Sequence, residues 1–72
     1  MSNKMTITFQ SEERELVLTL EEGRGVLRSI SSVYRFDQTD KIEDIIPTVS
    51  MVFLLPQAIG NMIFTVIEDW LE

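Results

Sequence analysis

The sequence predicts an α+β fold, with an N-terminal β-hairpin followed by two to three helices, and three patterns carry that reading. Met5–Phe9 and Glu15–Leu20 alternate apolar and polar residues with the period of a half-buried strand. Ile59, Met62, Ile63, Val66, Ile67, Trp70 and Leu71 form a stripe with the period of an amphipathic helix. A run of 23 uncharged residues, Ile45 to Ile67, broken by Pro47 and Pro56, leads into and overlaps that stripe. The 72 residues, 1–72, are read as a single small domain with the C-terminal amphipathic helix central to its core. An all-α fold is the alternative, because Glu12, Glu13, Arg14 and Glu15 would support a helix from Ser11 onward.

In the hairpin, a loop over Ser11-Glu12-Glu13-Arg14 sets Phe9 opposite Leu16, Ile7 opposite Leu18 and Met5 opposite Leu20. That register gathers six apolar side chains on one face and leaves Thr6, Thr8, Val17 and Thr19 on the other. A slip by one residue would send a strand's whole apolar set to the wrong side. Next, Thr19 and Glu22 have the spacing of a capping box. Val26, Leu27, Ile30, Val33 and Tyr34 then fall on one helical stripe, which predicts a helix here. Gly23 and Gly25 weaken its first turn, and a third strand over Ser29–Phe36 is the rival.

Asp37-Gln38-Thr39-Asp40 reads as a connector in which Thr39 or Asp40 caps a short helix through Ile42, Ile45 and Ile46. Pro47 should stop, kink or restart that helix. Thr48–Leu55 fits either a kinked helix or a strand. Pro56 suits the first turn of the last helix. Phe64 lies off the main stripe beside Gln57, Gly60 and Asn61, and Gly60 would admit another backbone there.

The composition excludes most enzyme chemistry. With no Cys and no His there are no thiol or histidine nucleophile systems and no ordinary zinc site. Asp37, Asp40, Glu43 and Asp44 lack the alternation and glycine of a calcium loop, and Gly23-Arg24-Gly25 is not a phosphate loop. We therefore expect no enzyme, no cofactor and no metal. The net charge of −6 divides into +3 over residues 23–36 and −9 elsewhere. This balance disfavours direct nucleic-acid binding.

A domain this short is usually reinforced by disulfides, a metal or oligomerisation, and only the last remains open. The sequence thus predicts a homodimer that meets its copy through Phe53, Ile59, Met62, Ile63, Phe64, Val66, Ile67 and Trp70. Arg24, Arg28 or Arg35 is expected to approach Glu68 and Asp69, whose charge opposes the helix dipole, within a subunit or across a two-fold axis. The other reading of the three arginines is a binding surface for an anionic partner. The expected function is regulatory binding of another protein. An acidic inhibitor imitating nucleic-acid charge is the first alternative, and a small membrane-associated protein the second. The run is long enough to span a membrane, but two prolines and acidic flanks argue against it. Without a signal-peptide core near Met1, a cytoplasmic location is expected.

Overall fold

The computed structural model describes residues 4–72, so the N-terminal Met1, Ser2 and Asn3 lie outside the described residues. The order is β1 (Met5–Gln10), β2 (Glu15–Glu21), β3 (Arg24–Arg28), β4 (Val33–Asp37), α1 (Ile42–Phe53) and α2 (Gln57–Leu71). The four strands form an antiparallel meander in the order β1-β2-β3-β4. The fold is therefore α+β, and the all-α alternative is excluded.

Strands β1 and β2 pair Phe9 with Leu16, Ile7 with Leu18 and Met5 with Leu20, as the alternation requires. Leu18 then faces Leu27, Leu20 faces Gly25, and Gly25 faces Phe36. One face of the sheet thus presents Leu16, Leu18, Leu20, Leu27 and Phe36, all buried. Helix α1 adds Ile45, Val49 and Phe53, and α2 adds Ile63 and Ile67. No polar side chain is buried among the described residues.

The helix expected over Val26–Tyr34 is replaced by β3, a turn and β4. Thr19 sits mid-strand opposite Thr6 and Val26, so it caps nothing. Gly23, at φ +80°, completes the two-residue β2–β3 turn in the left-handed region that glycine enters freely. Of the supposed stripe, Leu27 is buried, Val33 is exposed and Ile30 projects from a turn. The helical spacing was coincidental, and packing decided between two patterns that the segment could satisfy.

One further detail differs from expectation, and another decides between the helix and strand readings of Thr48–Leu55 in favour of the helix. The N-cap of α1 is Lys41, which makes no side-chain cap bond. Asp40 Oδ2 instead accepts from the Asp37 amide at 2.9 Å, and the Asp37 carboxylate accepts from the amide and hydroxyl of Thr39. The two Thr39 bonds, led by the hydroxyl, hold the Asp37 carboxyl below its ordinary pKa. Pro47 does not end α1, which runs through it to Phe53. Its ring is exposed, and the amide it lacks would have served only the Glu43 carbonyl in the first turn.

The uncharged run is divided into α1 and α2 at Leu54–Pro56, each laying one stripe on the sheet. Among the described residues no helix is long and apolar enough to cross a membrane.

Candidate functional site

The loops divide between two ends of the sheet with different chemistry. At one end, Gln38 ties three segments together. Its amide donates to the Gly23 carbonyl at 3.3 Å, its Oε1 accepts from the Gly23 amide at 3.3 Å, and its Nε2 donates to the Trp70 carbonyl at 2.9 Å. The last bond satisfies a carbonyl left open at the end of α2. Glu21, Glu22, Asp37, Asp40, Asp69 and Glu72 belong to the segments brought together here, making this end acidic.

At the opposite end the β1–β2 loop, the β3–β4 turn and the end of α1 surround a cleft of about 650 Å³. The turn is built from serines. The Ser29 amide donates to the Ser32 carbonyl at 2.8 Å, and Ser29 Oγ accepts from the Ser32 amide at 3.2 Å. This tight turn holds Ile30 at its tip, where the side chain is fully exposed. Opposite it, α1 ends with Val52, Phe53 and Leu54. Leu54 is 75% exposed and adopts φ 50°, ψ 55°, the left-handed conformation that usually falls to glycine. Val17 and Arg28, directly paired across β2 and β3, contribute to the wall.

Arg14 locks this end in place. Its guanidinium donates to the Phe53 carbonyl and, at 3.1 Å, to the Leu54 carbonyl. Two open carbonyls of α1 are thereby satisfied by a cation placed favourably at the negative end of the helix dipole. Arg14→Ala is expected to lower stability by about 1–2 kcal/mol in chemical denaturation, the scale of lost hydrogen bonds to a charged group. Arg14→Lys should recover only part of the loss, because a single ammonium cannot reproduce the fork.

The sequence-predicted residues separate. Phe53, Ile63 and Ile67 are buried in their own chain's core, while Ile59, Phe64, Val66 and Trp70 pack against it partly buried. Only Met62 among the eight is mainly exposed, at 58%. Phe64 covers Gly60 with its own ring, so the close approach there is intramolecular. Phe64 and Gly60 also line a groove between α1 and α2 with Ile42, Ile46, Leu55 and Pro56.

Arg24, Arg28 and Arg35 lie together on the open face of the sheet. Val26 sits between Arg24 and Arg28 along β3, and Arg35 is its partner in β4. Among the described residues the one ion pair is Arg24 with Glu21 at 3.9 Å, an exposed contact of little energetic weight. Among the described residues Glu68 and Asp69 thus have no arginine partner, and the Gln38 side-chain amide meets the end of α2 instead. Partial burial, followed by the nearby Asp40 and Asp44 carboxylates, raises the Tyr34 pKa.

The sequence pattern assigns none of Arg14, Ile30 and Leu54 to a site, and it places Arg14 in a possible helix and Ile30 on a helical stripe. A detectable signal existed for Ile30 alone, a large aliphatic residue inside the turn-forming run Ser29-Ile30-Ser31-Ser32. Leu54's conformation and Arg14's reach across 39 and 40 residues are tertiary consequences. Comparison with known proteins adds no relative: no family model, no curated protein and no solved structure matches this chain.

Proposed function

We propose that the chain is a non-enzymatic, homodimeric regulatory domain of the cytoplasm that binds another protein in the cleft between the β3–β4 turn and the end of α1. The observation that carries this reading is the exposure of Ile30 and Leu54, which both line that cleft. Exposed large aliphatic side chains facing a concavity are the usual anchors of a protein contact. The occupant is a segment with one large apolar side chain beside a carboxylate. The apolar walls favour the first, and Arg28, which has no ion pair among the described residues, favours the second.

Selection from a random peptide library on the immobilised protein tests this. Enriched peptides should carry an apolar residue beside an acid, lose binding to Ile30→Asp, and persist in about 0.5 M salt, where exposed charges are strongly screened. Peptides held equally by Ile30→Asp would refute the cleft. Basic peptides whose binding collapses with salt would favour the second reading, a nucleic-acid-mimicking inhibitor. That reading draws support from the acids gathered around Gln38.

Leu54→Gly separates stability from binding. The left-handed conformation costs a non-glycine residue about 1–2 kcal/mol. Glycine relieves that cost but adds about 0.4–1 kcal/mol of unfolded-chain freedom. A net gain of about 0.5–1 kcal/mol is expected, seen as a rise of a few degrees in Tm. Peptide affinity should fall, because the exposed side chain is an anchor.

A further inference from the structure

We infer that the homodimer forms through β1, edge to edge with β1 of a second copy, so that the two sheets join into one. This rests on the homodimeric part of the proposed function and replaces the helical surface with a strand edge. The two edges of the meander differ. Strand β4 carries Arg35 and Asp37, charges that discourage strand addition. Strand β1, Met-Thr-Ile-Thr-Phe-Gln, has no charge and no proline over six residues, so it lacks those protections. Its apolar row is also the least covered. The inward residues of β2 are all buried, whereas Phe9 and Ile7 are partly buried and Met5 is 44% exposed.

Backbone geometry fixes which groups are available. The Ser11 amide donates to the Arg14 carbonyl at 2.9 Å, closing the β1–β2 loop with a hydrogen-bonded pair. Hydrogen-bonded and non-bonded pairs alternate along an antiparallel ladder. Met5, Ile7 and Phe9 therefore bond toward β2, and Thr6, Thr8 and Gln10 direct their amides and carbonyls outward.

A second copy related by a two-fold axis through Ile7 meets these groups in register. Thr6 bonds Thr8 of the second copy, Thr8 bonds Thr6 of the second copy, and the two Ile7 side chains face each other. Met5 meets Phe9 of the second copy, a thioether-to-ring contact. All apolar residues stay on the helix-covered side and all threonines on the open side. Such a self-complementary patch is what an isologous interface requires. No like charges oppose one another over Met5–Phe9, which completes the fit to a second copy over any charged partner strand.

The test compares solution mass by light scattering for the native chain, Thr6→Lys/Thr8→Lys, Thr6→Glu/Thr8→Glu and their mixture. Both threonines are exposed on the open face, and each opposes the other across the axis. The native chain should show twice its 8.3 kDa mass. Each charged variant should be a folded monomer by circular dichroism, and mixing the two should restore a dimer. A native dimer unchanged by both pairs of substitutions overturns the β1 assignment and leaves the dimer itself standing. A native monomer at every concentration overturns both. Hydrogen exchange on the native chain decides independently of any variant. The Thr6 and Thr8 amides should exchange slowly when concentrated and rapidly when dilute, and rapid exchange at both concentrations rejects the pairing.

Discussion

Gly25→Val is expected to leave the protein unfolded at 25 °C, and Gly25→Ala to cost about 2–3 kcal/mol, the upper part of the range for overfilling a packed core. A Cβ at this position would lie 2.4 Å from both Cε2 and Cζ of Phe36, well inside contact distance. The ring cannot easily turn away. Phe36 is buried, stacks on Tyr34 with centroids 5.8 Å apart, and meets the edge of Trp70 at 5.6 Å and 86°. A domain of 72 residues has roughly 4–10 kcal/mol of total stability at ordinary values per residue. Losing 2–3 kcal/mol is therefore a large fraction, and the bulkier valine should exceed what remains. Urea denaturation of Gly25→Ala measures this. A change below about 0.5 kcal/mol, the level of an ordinary surface substitution, would show that the ring relaxes without cost. Combining Gly25→Ala with Phe36→Leu should recover part of the loss, since the smaller side chain vacates the space that the new methyl needs.

The same glycine shows why the middle of the chain was illegible. Read locally, Gly23-Arg24-Gly25 looks like a weak helix start, and Val26 to Tyr34 satisfies helical spacing. Gly25 has another use, as the floor beneath an aromatic ring that arrives from β4 eleven residues later. No window shorter than that separation can reveal it. By contrast, Met5–Phe9 and Glu15–Leu20 constrain each other across a short loop, so their register was readable from alternation alone. The site was less legible than the fold for the same reason. Its anchors are one aliphatic residue among serines, whose place in a helical spacing points to a helix instead of a turn, and one leucine in a left-handed turn that belongs to no periodic pattern. Arg14 looked like a helix former in an acidic run, yet its function depends on where α1 happens to end.

On α2, Ile63→Ala is expected to remove about 3 kcal/mol, within the range for truncating a fully buried aliphatic side chain, while Met62→Ala should remain within about 0.5 kcal/mol. Both residues belong to the stripe visible in the sequence, so hydropathy assigns them similar weight. The structure separates them because the buried face is not centred on that stripe. Gly60, Ile63 and Ile67 are buried, and Phe64 and Leu71 flank them. Gly60 presents no side chain, which lets Leu55 and Phe64 close over it at 3.8 and 3.4 Å from where a Cβ would stand. The centre of packing thereby rotates toward the small residue. At 3.6 residues per turn, Met62 lies about 160° around the helix from Gly60, on the solvent side. Denaturation curves with equal slopes for the two variants and the native chain would make the comparison a direct measure of stability. Similar losses at both positions would mean that α2 is rotated from this arrangement, or that Met62 is covered by a second copy. The second case is distinguishable, because the Met62→Ala loss would then grow with protein concentration. Paired with the β1 substitutions, that concentration dependence decides whether a copy docks on the helices or on the strand edge.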